Sequence, residues 1–582
     1  MITTAWNNLF ATDDLLPESD VNVVCNDNVV DLSSGWTVNT NSKEDISNIQ
    51  SFLKSNGSIE RNTSKIATLE WNFWALDGSF RVADNNTVVN RYISSEVCDE
   101  NCEFSNPPEI YFGNRQPSSL KYLTVKFAPQ LSEWGTVVVA NRYKTYEIPE
   151  YDSDYVILDD LTTPQGVSSI SISKWSMPFR RARLSEFLIG VRIYFDRTMI
   201  SKFTHERSTD MVCAELPQND VNLSVIDIEN DWDINNQNAK YVDLVNTNTV
   251  FKIYYGYKVN NSWSYYLIDT VILKSLNRPA NGLEANFILE SDINRAKQTF
   301  LESENKNWTS YNQLLSYIRQ KTGFTIGQSN IRFDYITEVR EYLYRPFMTK
   351  LDDYNKISEY FERPMNEWMQ LFGATMNAYI KRDAAGNYYY VGLLNFSNGN
   401  FVSSTAVDSI SLVNCFEYPE IETLEKLGKI SVATAPFLGA SNPDSDITVQ
   451  VQMNSSGLAP RPMTAKRYRY TVTYNNGNGK ELQSTNHLIC VSNNAPVSNP
   501  FGFEEELQIP QKYIRYLYKF LSEAKKITVK CRMNPAWQVG DLISMELRDG
   551  TIAKGYIIEI NIEYAGYPKG SVTILEPKDL NI

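Results

Sequence analysis

A chain of 582 residues exceeds what one hydrophobic core can organise, and its 42% hydrophobic residues supply material for about three to five domains. A net charge of -14 excludes a broad basic face of the kind that grips nucleic acid, although an acidic or neutral channel wall would let a polyanion slide past. Seven scattered cysteines, an odd number in a large chain, argue against a disulfide framework, and no apolar run approaches the length of a membrane helix.

Met1 to Phe10 has neither a basic start nor a long apolar run, so no signal peptide is expected, and a soluble protein made in a cytoplasm is the simple reading. Aromatic content of 12%, with 35 Tyr and 11 Trp beside abundant Asn, points to strand-rich domains with polar loops. Residues 1–33 carry Asn and Asp without sustained periodicity and read as an extended N-terminal arm. Residues 34–165 show short strands between turn clusters. Leu123, Val125 and Phe127 alternate, and Thr136 to Ala140 is a small β-branched run, together a β-sandwich pattern. Inside it, Leu69 to Phe80 reads LEWNFWALDGSF and sets two tryptophans beside an Asp77-Gly78 turn. Trp71, Trp74 and Trp134 are candidates for stacking on sugar rings; tryptophans in a sandwich equally serve as core.

Ser171 to Phe195 joins two unlike strands through a compact Trp-Ser-Met-Pro and Arg-Arg-Ala-Arg connector. Ile170 and Ile172 alternate with serines on one side of it. Phe187, Ile189, Val191, Ile193 and Phe195 share a strand face on the other. Trp175 fixes the corner with Pro178. Arg180, Arg181 and Arg183 are either solvated turn residues or contacts to carboxylates of a neighbouring subunit or domain, a use suited to the planar guanidinium. Strands continue through residues 166–297, with Val221, Leu223 and Val225 in alternation, FKIYYGY at Phe251 to Tyr257, and a hairpin at Asn260-Asn261-Ser262; Trp232 is placed to anchor the loop that follows the Val225 strand.

Across residues 298–400 the period becomes helical. Ser310 and Gln313 make a capping box, Tyr311, Leu314, Leu315 and Ile318 share a face, and Gly323 ends the helix. Pro364 opens a second helix with Met365, Trp368, Met369 and Phe372 on one side, followed by a hairpin turning at Asp383 to Gly386. Residues 401–582 return to strands around one helix after Pro510. Asp549-Gly550 signals a hairpin, and Tyr556, Ile558, Ile560, Ile562 and Tyr564 alternate along one strand.

Enzyme signatures are sparse. There is no G-x-S-x-G, H-E-x-x-H or P-loop, and with two histidines any histidine-dependent site must use His205 or His487, each read as a surface or strand residue. Carboxylates in Asp152 to Asp160 and Asp227 to Asp233 are the candidates for glycoside hydrolysis, or for solvated or cation-binding loops. Cys98 and Cys102 form a close pair without obvious zinc partners and read as free thiols sooner than as a metal site. No catalytic residues, metal or cofactor are expected, and the chain is read as not an enzyme.

The Ser171 to Phe195 stretch resembles a segment recurring in tail-tip proteins of bacteriophages that infect Gram-positive bacteria. LEWNFWALDGSF is similar to the front domain of those proteins, some of which look like carbohydrate-binding modules. YIKRDAAGNYYYVGLL, with the helix before it, resembles the unit that sits between two barrel domains of phage tail hubs, and WQVGDLISMELRDG with GYIIEINIEY looks like their closing barrel. The resemblance implies a mainly β fold with an α+β middle: a β-sandwich (34–165), then two tube-like β-barrel domains (166–297 and 401–582, the second ending in a small C-terminal barrel) flanking a helix-hairpin domain (298–400). It implies a hub ring of the tail tip or baseplate, a homotrimer or hexamer, in the virion and assembled in the host bacterial cytoplasm. Its partners would be the distal tail ring, tape measure and receptor-binding proteins, with host cell-wall glycan as a further candidate, and DNA would pass without specific binding. The rival readings are a carbohydrate-binding adhesin of the tail and a glycan hydrolase.

Overall fold

The computed structural model describes residues 19–30, 36–40, 92–114, 122–127, 137–141, 145–148, 155–159, 167–213, 215–233, 235–236, 239, 241, 249–259, 262–279, 282–297, 311–329, 364–375, 378–392, 396–397, 400–401, 405–434, 447–454, 457–460, 470–475, 477–488, 514, 516–534, 536–564 and 568–580. These residues are mostly strand. The largest sheet has 16 strands. In chain order they are β1 (Ser19–Val30), β2 (Tyr92–Ile93), β3 (Tyr122–Phe127), β4 (Tyr155–Asp159), β5 (Arg183–Phe195), β6 (Ile200–Ser208), β7 (Gln218–Ile226) and β8 (Val250–Val259). They continue with β9 (Ser262–Asn277), β10 (Glu284–Glu290), β11 (Asp408–Ile410), β12 (Glu420–Thr423), β13 (Lys525–Arg532), β14 (Leu542–Glu546), β15 (Ile552–Tyr564) and β16 (Pro568–Glu576). Hydrogen bonding follows the path β12-β13-β16-β15-β6-β7-β10-β9-β8-β1-β5-β3-β4, with β11 on β14, β14 on β15 and β2 on β5 beside it.

Alternation in sequence becomes alternation in burial. Val221, Leu223 and Val225 of β7 and Ala285, Phe287 and Leu289 of β10 point into one core, while the residues between them face out. That core continues through Ile557, Ile560 and Ile562 of β15 to Val572 and Ile574 of β16, because β6 pairs antiparallel with β15, His205 opposite Ile562. β1 lies inside the segment read from sequence as an arm. It is paired on both edges, with Val23 opposite Phe195 of β5 and Ile253 of β8, and Val21, Val23 and Cys25 enter the core. The single-face pattern expected for Tyr556 to Tyr564 is interrupted. The register shifts between Ile557 and Glu559, so Tyr556 and Ile558 pack on the helical core while Ile557, Ile560 and Ile562 pack in the sheet core; an extra residue in one strand reverses which side chains face which layer.

Strands of the 34–165 region divide between two sheets. Trp36–Thr40, Glu109–Asn114, Val137–Asn141 and Thr145–Ile148 join Val167–Lys174 in a five-stranded sheet, whereas β3 and β4 extend the large one from the edge of β5. The chain crosses between these sheets at the corner 175–182. Three helices, α1 (Ile293–Lys297), α2 (Tyr311–Thr322) and α3 (Met365–Thr375), surround the hairpin Ala378–Arg382 and Tyr388–Gly392. Leu315 and Ile318 of α2, Met365, Trp368 and Met369 of α3, and Ile514, Leu517 and Phe520 of the helix read after Pro510 form a second core with the hairpin's Ile380 and Tyr390. Among the described residues no helix is long and apolar enough to cross a membrane.

Candidate functional site

The strongest concentration of polar chemistry is buried where the hairpin meets the large sheet. β6 alternates Phe203, His205 and Arg207 inward, and β9 places Asp269 on the same inner side, inside the apolar run Tyr266 to Leu273. His205 and Asp269 are fully enclosed. The His205 Nε2 to Asp269 Oδ2 and Nδ1 to Tyr255 Oη distances are both 3.0 Å, and Asn219 Nδ2 donates to Asp269 Oδ2 at 2.7 Å. Arg382, from the hairpin strand, makes an ion pair with Asp269 Oδ1 and also donates to the Thr270 carbonyl. Thr270 Oγ1 donates to the Ala384 carbonyl at 2.7 Å and Thr209 Oγ1 to the Ile380 carbonyl at 2.7 Å. The last third of the chain joins in. Arg207 Nη2 donates to the Trp537 carbonyl at 3.3 Å, and Lys381 Nζ lies 3.6 Å from Asp541 Oδ1.

Charge states follow from burial and partners. Burial lowers the pKa of His205 more than the Asp269 hydrogen bond raises it, so the imidazole is neutral. Nε2–H then donates to the carboxylate and Nδ1 accepts from the Tyr255 hydroxyl, a proton that burial holds on the phenol. For Asp269 burial alone would raise the pKa, but the Arg382 guanidinium, with the His205 hydrogen bond, holds it well below the usual carboxylate range. Tyr255, His205 and Asp269 thus form a hydrogen-bonded relay, but all three are enclosed by side chains from β6 to β9 and the hairpin. Its chemistry is adhesive: it fixes the hairpin against β6 and β9.

The acidic loop after β7 is filled from within. Asp227 Oδ1 accepts from the Asp231 amide at 2.9 Å, and Arg278 Nη2 reaches Asn230 Oδ1 at 2.6 Å, the Gly282 carbonyl at 2.7 Å and Asp227 Oδ2 at 3.4 Å, with Nη1 on Asp233 Oδ2 at 3.2 Å. A guanidinium sits where a bound cation would. Trp232 anchors this loop, its ring 4.8 Å from Tyr241 and 4.9 Å from Phe287. Among the described residues no group of three or more His, Cys, Asp or Glu is placed to hold a metal ion.

At the corner 175–182 the sequence-predicted contact residues are clasped by residues 92–104 of the same chain. Trp175 is buried and its amide donates to the Cys102 carbonyl at 2.9 Å. Arg181 Nη1 donates to the Ser94 carbonyl at 2.9 Å and also to that of Ser95. Arg180 accepts the Cys98 amide on its carbonyl at 2.9 Å, and Arg183 is buried at the start of β5 opposite Ile93. None of the three arginines is fully exposed. Cys98 and Cys102 are not disulfide-bonded, and Cys98 Sγ donates to the Met177 carbonyl at 3.0 Å. Trp71, Trp74 and Trp134 lie outside the described residues, as do Asp152 to Asp154 and Asp160. His487 is in the strand Lys480–Leu488.

Sequence reading passed over Asp269, Asn219, Tyr255 and Arg382. Two of them had a usable signal. Asp269 is a lone carboxylate in YYLIDTVIL and Arg382 follows the apolar Tyr379-Ile380, and a charge set in a buried strand requires a partner.

No family model matches the chain, and no curated protein matches it. Among solved structures, it is similar to the 43 kDa tail protein of prophage MuSo2 from Shewanella oneidensis, at 10% identity over 67% of this chain and 97% of that one, TM-score 0.35. It is similar to a tail protein from Neisseria meningitidis MC58, at 7% identity over 67% and 95%, TM-score 0.35. A third is the prophage tail protein gp18 from Listeria monocytogenes EGD-e, at 10% identity over 66% and 91%, TM-score 0.31.

Proposed function

We propose that this chain is a structural protein of a bacteriophage tail tip or baseplate. Copies of it form a hub ring, a homotrimer or hexamer, that closes the tail tube, organises host attachment and lets DNA pass without gripping it. The reading rests on the sequence resemblance at Ser171 to Phe195, in the helix-hairpin stretch and near the C-terminal end. The observation that carries it beyond that resemblance is the weld between the hairpin and both strand-rich regions: Arg382 on Asp269 of β9, Lys381 beside Asp541, and β6 paired with β15. A part that transmits load between a tube and a tip has to move as one body. Enclosed polar groups, paired across the hairpin and the sheet, suit that better than a site open to substrate.

In this reading the chain acts by geometry without catalysis. If each copy contributes two similar barrels, three copies present six to a sixfold tube, joined by repeated heterologous contacts. Its partners are neighbouring tail proteins, and it is carried in the virion after assembly in the infected cell. The deciding measurement is mass, by light scattering on the purified chain and by quantitative mass spectrometry of phage particles. A trimer or hexamer located in the tail is expected. A strict monomer absent from particles would overturn the proposal.

A further inference from the structure

Two of the seven cysteines face each other across paired backbone segments. Cys415 follows the short turn Leu412–Asn414 and is bridged antiparallel to Cys531 of β13. The Phe416 amide donates to the Lys530 carbonyl at 2.8 Å. That bond ties the residue after Cys415 to the residue before Cys531, which makes the cysteines a non-hydrogen-bonded pair, the antiparallel arrangement that brings opposed Cα atoms to about 4.5 Å. Directly opposed side chains share a face. Disulfides span Cα separations of about 4.4–6.8 Å, so the backbone already meets the requirement. Cys531 is buried in the sheet core and Cys415, half-buried, packs against that same core. On its other side Cys531 is opposite Gly570 of β16, which offers no side chain in competition. Burial raises both thiol pKa values, and each thiol is reduced as the chain stands.

We propose that Cys415 and Cys531 are a modification site that closes to an intrachain disulfide when the folded protein meets a disulfide oxidant such as oxidised glutathione. Cys415, the more accessible, attacks one glutathione sulfur as its thiolate. The glutathione S–S bond breaks, and one glutathione leaves as a thiolate that takes up the released proton. Cys531, deprotonated in turn, attacks Cys415 Sγ and expels the second glutathione. Two protein thiols lose two electrons and two protons, and one oxidised glutathione becomes two reduced ones. The new bond anchors the stretch from Ser411 to Thr423 onto β13. That stretch exposes Val413, Phe416, Tyr418 and Ile421 and ends in β12, an end strand of the 16-stranded path, so oxidation fixes the conformation of an apolar sheet edge.

The test is incubation of the full folded chain with oxidised glutathione, alkylation of remaining thiols, non-reducing digestion and mass spectrometry. The expected result is loss of two alkylatable thiols and a linked peptide pair containing Cys415 and Cys531, released by reductant and missing in Cys415→Ser. In Cys531→Val, Cys415 should instead stop as a stable glutathione adduct. An unchanged thiol count in the wild type, a lasting glutathione adduct on wild-type Cys415, or a link from either residue to another cysteine would each overturn the proposal.

Discussion

Asp269 illustrates what a buried charge requires. Its carboxylate accepts from His205, Asn219 and the Thr270 amide, and faces Arg382. Replacing Arg382 with Met leaves that carboxylate enclosed without its cation, which should destabilise the fold by about 3–5 kcal/mol in urea titrations. The double variant with Asp269→Asn as well should recover part of the loss, since the orphaned charge goes with its partner. His205 gives the pH dependence. Its folded pKa is depressed below the ordinary value of 6.5, so the unfolded chain binds the proton first, and stability falls as pH drops below 6.5 at up to about 1.4 kcal/mol per pH unit. Asp269 adds a second loss at lower pH, because its stabilisation is complete above the ordinary 3.8 and disappears as pH falls through the depressed folded value. Urea midpoints measured in steps from pH 7 downward should show the first slope in the wild type and a flatter one in His205→Gln. Equal slopes would mean that the imidazole does not titrate as argued.

At the scale of elements, the turn that feeds β14 is shaped by a close approach. Gly540 has φ +86°, and a Cβ there would come within 2.3 Å of the Tyr379 hydroxyl on the hairpin; Gly550, at φ +81°, has open space around it. Gly550→Ala should therefore cost only the left-handed backbone strain, about 1–2 kcal/mol. Gly540→Ala should cost more and lower the melting temperature further, because the ring of Tyr379 must also move. A melting temperature equal for the two variants would show that the hairpin yields freely. Legibility in sequence differs along these elements for physical reasons. β7, α2 and α3 could be read because each buries one face against its neighbours and the period survives in the residue order. β1 could not. Its inward Val21, Val23 and Cys25 alternate with Asp20, Asn22, Val24 and Asn26, a mostly polar set that looks like loop composition and that Val24 breaks as a period, and its two neighbours are remote in sequence. The bulge in β15 was invisible for a similar reason, since Ile557 and Ile558 are both apolar and either could face in. The buried cluster assembles from β6, β7, β8, β9 and the hairpin, and only its lone charges in apolar strands could have marked it.

Across the whole molecule, the junction of β6 with β15 makes the first and last strand-rich regions share one core. Native-state hydrogen exchange should therefore find the backbone amides of β6, β7, β15 and β16 opening together at the slowest rate in the chain. Exchange of β15 and β16 well ahead of β7 would show that the joint is weaker than its register indicates. Arg278 has a consequence on the same scale. With a guanidinium already holding the acidic loop after β7, thermal stability should be the same in calcium and in a chelator.

The placement of β1 also sets a timetable. During synthesis this strand leaves the ribosome before the strands that flank it, β5 and β8, and β6 cannot be covered on its outer edge until residues 552–564 have been made. Pairings of such long sequence separation form slowly. Until those residues emerge the nascent chain carries strand edges that only its own later residues can close, and the interval is one in which a crowded polysome could join neighbouring chains edge to edge. Slower elongation before residue 552 should lower the yield of soluble protein, and a chain released before β15 should be recovered mainly as aggregate.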